Sequence, residues 1–248
     1  MNDKERADRL LVALGHYESR AAAQAAISAG CVSVNGERLA KASTRISGAD
    51  AIEASHPHPW VSRGGLKLDH ALNVFGVEAA GKTCLDIGAS TGGFTDVLLA
   101  RGAAHVIAVD VGRDQLHSRI AGDPRVSSLE GCDARDLLRD NLAEAPPLIV
   151  CDASFISLEK LLERPLSLAR QGADLVTLFK PQFQVGRANI GKGGIVTDQG
   201  AIQRAEQAFC DWLEGRRWRV LGRTDSPISG GDGNAERLIH AKLKAGES

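Results

Sequence analysis

Cys84-Leu85-Asp86-Ile87-Gly88-Ala89-Ser90-Thr91-Gly92-Gly93-Phe94-Thr95 joins a short apolar run, an acidic residue, a glycine-rich turn and the start of a helical pattern. That order predicts the first strand, turn and helix of a doubly wound α/β domain, where glycines let a ligand approach the backbone. A dinucleotide fold asks for G-x-G-x-x-G. Here the spacing is Gly88-x-x-x-Gly92-Gly93, with Asp86 two residues before the first glycine. A carboxylate at that point suits a cationic or amine-bearing cofactor better than a pyrophosphate, which needs bare backbone N–H groups. Taken alone, the segment also reads as an ordinary strand-to-helix turn.

Outward from this turn, strand patterns at 83–87, 105–109, 125–129, 148–151 and 175–179 alternate with helical patterns at 65–75, 93–101 and 158–170. A long helix at 201–214 precedes 218–222 and 237–243, which read as a closing antiparallel pair. Such alternation predicts a mostly parallel sheet covered on both faces. The first fifth of the chain differs. Ala7, Leu10, Leu11 and Leu14 fall at helical spacing, Ser19 and Gly30 bracket a second helix, and Cys31-Val32-Ser33-Val34 alternates into the hairpin signal Asn35-Gly36. A further strand is expected near Ala51-Ile52-Glu53. The prolines of His56-Pro57-His58-Pro59 continue neither a helix nor a central strand, so the seam lies there. The expected domains are 1–55, a linker at 56–61, and 62–248.

The bulk numbers exclude several classes. The chain has 248 residues, 30 basic against 31 acidic, and a formal net charge of -1. No global basic excess announces nucleic-acid binding, so that reading must rest on local features. The cysteines Cys31, Cys84, Cys132, Cys151 and Cys210 form no C-x-x-C pair, which argues against a zinc site or disulfide framework. The chain opens Asn2-Asp3-Lys4-Glu5-Arg6 without an apolar signal region, and no run approaches the roughly 20 apolar residues that span a bilayer. The expectation is a cytoplasmic protein without membrane or metal partners, and a monomer.

Acidic residues close successive strands. Asp110 stands a little over twenty residues after Gly88, where a carboxylate can bond both ribose hydroxyls of a nucleoside cofactor. Asp133 follows the third strand and Asp152 the fourth. Lys180 ends the fifth, directly after Leu175-Val176-Thr177-Leu178-Phe179, where an unpaired buried amine is costly. A lysine snorkelling at a sheet edge is the alternative. Lys67 lies off the buried stripe Leu68, Ala71, Leu72 and Phe75, and by periodicity reads as solvated. Glu236 opens the last strand after a glycine-rich loop. The basic loop 184–194 contains Arg187 and Lys192; it is either an RNA clamp or a flexible surface loop.

These stretches carry resemblances. Arg6-x-Asp8-x-Leu10, Ser19-Arg20 and Ile27-x-x-Gly30-x-Val32-x-Val34-Asn35-Gly36, with Ser43 and Asp50-x-Ile52 behind them, resemble the S4 RNA-binding domain. That resemblance implies a small α+β module in which Arg6, Arg9, Arg20, Arg38 and Lys41 contact RNA phosphates; Arg20 alternatively pairs with Asp8 or is solvated. The glycine turn resembles the S-adenosylmethionine (SAM) turn of class I methyltransferases. It implies a cofactor site of Asp86, Gly88, Ala89, Ser90, Gly92, Gly93, Phe94, Asp110, Asp133 and Asp152, with Asp133 toward the adenine amino group. Lys67, Asp152, Lys180 and Glu236 match in order and context the Lys-Asp-Lys-Glu tetrad of FtsJ/RrmJ-type ribose 2′-O-methyltransferases. Together with Ser62-Arg63-Gly64-Gly65-x-Lys67-Leu68 and Lys180-Pro181-Gln182-Phe183, the chain resembles the TlyA family, whose members methylate a cytidine ribose in ribosomal RNA and some of which are called hemolysins. It departs from that family at the inter-domain joint, reading His58-Pro59-Trp60-Val61 where Arg-Ala-Trp-Val is common.

The implied chemistry accounts for the tetrad. A ribose hydroxyl becomes a good nucleophile only as its proton leaves, so the transfer needs a general base. Free lysine titrates at about 10.4, and a second lysine, partial burial and the sulfonium would each depress that value. Lys180 is the expected base, tuned by Lys67, with Asp152 and Glu236 holding the amines. The competing classes are a membrane-active hemolysin, a non-catalytic RNA-binding assembly factor, and a base methyltransferase. For the last, Asp152-Ala153-Ser154-Phe155 lacks the N-P-P-Y pattern.

Overall fold

The computed structural model describes residues 4–246. The chain divides into two compact units with the boundary between Pro59 and Trp60. In the first, β1 (Glu5–Arg6) and α1 (Ala7–Ala13) lead to α2 (Arg20–Ala29), then β2 (Val32–Val34), β3 (Glu37–Arg38), β4 (Arg45–Ile46) and β5 (Ile52–Ala54). Ser19 caps α2 by accepting from the Ala22 N–H at 3.2 Å, and Gly30 ends it in the left-handed region. Asn35 and Gly36 both take positive φ, as a tight hairpin turn requires, so β2 pairs with β3 and also with β5. The β1–β4 pair was not anticipated, because two-residue strands leave no period to read. Leu11, Tyr17, Ile27, Val32 and Ile46 form the core of this unit.

The second unit begins with α3 (Gly64–Phe75), followed by β6 (Thr83–Ile87), α4 (Gly93–Ala100), β7 (His105–Asp110), α5 (Ser118–Ala121), β8 (Val126–Glu130) and β9 (Leu148–Cys151). The remainder is α6 (Leu158–Ser167), β10 (Asp174–Phe179), α7 (Gln199–Glu214), β11 (Trp218–Asp225) and β12 (Arg237–Leu243). The sheet order is β11-β12-β10-β9-β6-β7-β8. The strands from β10 to β8 are mutually parallel, and β12 runs antiparallel to both β10 and β11. This is the expected α/β class. Alternate side chains feed two core layers: Leu85, Ile149 and Leu175 pack with Leu162 of α6 and Phe209 of α7, while Cys84, Val150 and Val176 pack with Leu72 of α3 and Leu98 of α4.

Two departures are local. Between β7 and β8 the chain forms only the single turn α5. Strand β11 runs past Gly222 to Asp225 through an irregularity between Val220 and Gly222, where the absent side chain leaves room for the Phe75 ring. Near the start of the unit, Trp60 packs on Gly65, where a Cβ would sit 2.4 Å from the indole. The Val61 N–H donates to Asp96 Oδ2 at 2.8 Å.

From β6 the chain builds one way to β7 and β8, and from β9 the other way to β10, so the crevice opens between β6 and β9. Gly88 follows β6 at φ +78°, and a Cβ there would lie 2.8 Å from the Asp152 carbonyl oxygen. Gly88→Ala is therefore expected to lower stability by roughly 1–2 kcal/mol from its left-handed backbone alone, with the carbonyl contact adding to that. Urea unfolding followed by tryptophan fluorescence checks this, since all three tryptophans lie in this unit; an unchanged midpoint would contradict the close approach.

Candidate active site

Four charged side chains converge at the C-terminal ends of β9 and β10. Lys67, on the first turn of α3, donates from Nζ to Glu236 Oε2 at 2.5 Å. Lys180, directly after β10, places Nζ 2.6 Å from Asp152 Oδ1 and donates to Ser154 Oγ at 2.8 Å. Lys67, Lys180 and Glu236 are only 7%, 9% and 4% exposed. Lys67 thus corrects the solvated reading of its helix face: the segment before β12 covers that face, and helix periodicity does not show it. Burial pushes the Glu236 carboxyl above its ordinary value, while the hydrogen bond and charge of Lys67 pull it back.

Two adjoining cavities meet here. The smaller, about 410 Å³, is lined by Ser62, Lys67, Phe94 and Lys180 among others. The larger, about 600 Å³, is lined by Asp110, Gly112, Cys132, Asp133 and Phe155 among others. Gly88, Ser90, Asp152 and Ser154 line both. Ala89 and Gly93 also face the smaller one. Asp110 receives the Ser90 N–H at 2.8 Å and the Gly112 N–H at 2.7 Å, which fixes its carboxylate at the crevice. Asp133 caps a 3₁₀ turn and is clasped by Arg135, whose hydrogen bond holds its carboxyl below the usual range.

Two expected cofactor residues stand behind the wall. Gly92 backs onto Leu116 and Ile120. Asp86 is 0% exposed and accepts from Thr95 Oγ1 at 2.6 Å, tying β6 to α4. Burial pushes its carboxyl up to about 7, against the Thr95 hydrogen bond and with a further push from the Asp152 charge. Its place in the sequence predicts a ligand contact; its side chain instead serves the turn.

In the first unit, Arg6 and Arg20 converge on Asp8, which is fully buried. Arg6 Nε, Arg20 Nη2 and Gln24 Nε2 approach its carboxylate at 3.0, 2.9 and 2.7 Å. Arg20 pairs with Asp8, while half of its side chain stays exposed. Arg6, Gln24 and Arg20 hold the Asp8 carboxyl well below the usual carboxylate range. Arg9 and Lys41 are exposed, and the Arg38 guanidinium lies over Gly30. In the second unit, Arg187 and Lys192 are exposed on a loop whose base is tied down. Buried Asn234 accepts from the Val196 N–H at 2.9 Å and donates to the Gly194 carbonyl at 3.0 Å. Asp232 beside it accepts from Gln182 Nε2 at 2.8 Å. Asn234 escaped sequence reasoning because a loop asparagine ordinarily marks a turn. Phe155 was passed over as a site residue as well; it is 91% exposed, at φ +69°, with its ring 5.2 Å from that of Phe183.

The FtsJ-like methyltransferase family model matches residues 60–243, and the S4 domain model matches residues 5–52. The 16S/23S rRNA (cytidine-2′-O)-methyltransferase TlyA of Mycobacterium tuberculosis is 42% identical over 96% of this chain and 90% of its own length. The chain belongs to the TlyA family. Within that family the hemolysin label accompanies sequences of the same extent: Hemolysin A of Brachyspira hyodysenteriae is 40% identical over 95% of this chain and 98% of its own. A solved structure described as a hemolysin from Streptococcus thermophilus superposes with a TM-score of 0.77 at 38% identity, covering 98% of this chain and 90% of that one. A solved structure from Listeria monocytogenes, described as a SAM-dependent methyltransferase, shares the fold at 14% identity and a TM-score of 0.56 over 74% of this chain and all of that one. Among the described residues, no helix is long and apolar enough to cross a membrane.

The buried Asp86 carboxyl generates a pH dependence. Its folded value near 7 lies above the ordinary 3.8. Its favourable contribution is therefore complete below about pH 4 and is lost as pH rises through about 7. Asn keeps an acceptor for Thr95 without the charge, so Asp86→Asn is expected to raise the melting temperature over the native chain more at pH 8 than at pH 5. Equal differences at both pH values would contradict the buried carboxyl.

Proposed function

We propose that this chain transfers a methyl group from SAM to the 2′-hydroxyl of a cytidine ribose in ribosomal RNA. The observation that carries the reading is the pair of buried lysine–carboxylate contacts facing a cavity at the switch point of the sheet. The cytidine and the ribosomal RNA come from the Mycobacterium tuberculosis relative, which shares the domain pair along nearly its whole length.

The residues present fit SAM. The two cavities together suit a nucleoside with an amino-acid tail, with Asp110 and Asp133 on the larger side and the glycine turn between them. Asp152 borders both cavities, and its carboxylate, with Oδ1 2.6 Å from the Lys180 amine, adds the negative charge that a cationic group there would meet. When bound, SAM supplies a methyl carbon made electrophilic by its sulfonium.

The chain's own residues do the rest. Lys180 Nζ, as the free amine, accepts the ribose hydroxyl proton as the new oxygen–carbon bond forms. Lys67, held by Glu236, donates to the ribose oxygen and orients it. Asp152 holds the Lys180 amine in place. Closing methyl and oxygen into line accounts for the remaining acceleration. Phe155 offers an exposed ring at the larger cavity for a base turned out of its helix, because single-stranded and flipped bases stack on aromatic faces. Arg187 and Lys192 on the tethered loop, and Arg6, Arg9, Arg20, Arg38 and Lys41 of the S4 unit, supply phosphate contacts.

Lys180→Ala is expected to lower methyl transfer to ribosomal RNA by roughly 10²–10⁴-fold while SAM binding by calorimetry persists; undiminished transfer would remove Lys180 as the base. For the S4 unit, Asp8→Asn is expected to weaken RNA binding in a filter assay, because it frees Arg6 and Arg20 from their shared anchor. Simple charge removal predicts the opposite sign, so tighter binding would contradict the organising role of Asp8.

A further inference from the structure

We propose that Ser154 is a positioning residue for the transfer: its hydroxyl fixes the direction in which Lys180 presents its lone pair to the ribose. The proposal rests on the reading of Lys180 as the base.

The placement begins with sheet register. Cys151 of β9 pairs with Thr177 of β10, so Ser154 and Lys180 each stand three residues beyond the same rung of two parallel strands. That geometry brings Lys180 Nζ within 2.8 Å of Ser154 Oγ. Asp152 Oδ1 is nearer, at 2.6 Å, but it lies off the line of a hydrogen bond and remains without a partner of that kind. Among the described residues, the one aligned hydrogen bond from the Lys180 amine is therefore the one to Ser154. Asp152 supplies charge; Ser154 supplies direction.

The consequence follows from the shape of an amine. A lysine ammonium has three N–H groups. One points to Ser154 Oγ, one sits against Asp152, and the third is left for the smaller cavity, which Lys180 itself lines. Once the third proton has gone to solvent, an N–H kept on the accepting Ser154 Oγ and one kept beside the Asp152 carboxylate leave the lone pair on the cavity side. The lone pair is thus held in the cavity direction, where the ribose hydroxyl is to lie. The hydroxyl proton then moves to Nζ as its O–H bond breaks, and the ammonium is restored in the same orientation. Without the serine hydroxyl the amine rotates about its last carbon–nitrogen bond and spends less time aimed at the substrate. Ser154 is exposed and lines both cavities, so it fills no core position whose loss would unfold the chain.

The test uses the full chain with SAM and ribosomal subunits lacking the modification. Ser154→Ala is expected to lower kcat by roughly tenfold or more, the order of one hydrogen bond to a charged group, with the KM for subunits and the Kd for SAM unchanged. Ser154→Thr, which keeps the hydroxyl, is expected to restore most of the rate. In the Lys180→Ala background, adding Ser154→Ala is expected to change nothing further, since the group it positions is absent. An unaltered kcat in Ser154→Ala overturns the proposal; so does a loss matched by weaker SAM binding, which would make the serine a cofactor contact, and so does a loss that threonine fails to repair. Lys180→Ala measured beside these separates the two ideas. Full activity there defeats the base reading itself, whereas an inactive Lys180→Ala with a native-like Ser154→Ala defeats only the positioning role.

Discussion

Two lysines and two carboxylates share one buried corner of this molecule, and charges removed from water are tolerated only in pairs. The remaining architecture satisfies that condition. Lys67 and Glu236 lie 169 positions apart in sequence and meet at 2.5 Å only because α3 and the segment before β12 pack at the same end of the sheet. Lys180 and Asp152 meet because β9 and β10 are adjacent parallel strands in register. Removing either carboxylate would leave a buried ammonium without compensation, so each pair supports the local fold as well as the chemistry.

The loops are held to the same standard. Asn234 joins the strap before Glu236 to the chain around residues 194–196, and Asp232 joins it to Gln182, two residues after Lys180. One hydrogen-bond network thus braces the segments carrying two of the four charged groups. On the other side, Trp60 over Gly65 and Val61 on Asp96 fix the approach to α3 and hence to Lys67. The first unit repeats the logic at small scale, with buried Asp8 gathering Arg6 and Arg20.

What the sequence disclosed follows from which forces are local. The strands β6 and β9 were legible to the residue: β9 reads as an uninterrupted apolar run, as a fully buried parallel strand does, and β6 departs from one only at Thr83 and Asp86. Asp152 and Lys180 were legible as strand-end residues of unusual type. Lys67 was not, since its burial comes from a segment remote in sequence, and family resemblance alone singled it out. Asp86 misled for a related reason: its position in the turn is that of a ligand residue, but Thr95 turns the carboxylate inward. Ser154 and Asn234 are ordinary loop residues by type and acquire significance only through what they touch. The S4 unit's two-residue strands were too short to leave a pattern, whereas its helix cap at Ser19 and its Asn35-Gly36 turn were plain.

The central claim concerns the atom that receives the methyl group. It is tested most directly by incubating the full chain with ribosomal subunits lacking the modification and methyl-labelled SAM, digesting the RNA to nucleosides and locating the label by mass spectrometry. The account predicts label in 2′-O-methylcytidine. Label confined to a nucleobase, or none in RNA at all, would contradict it.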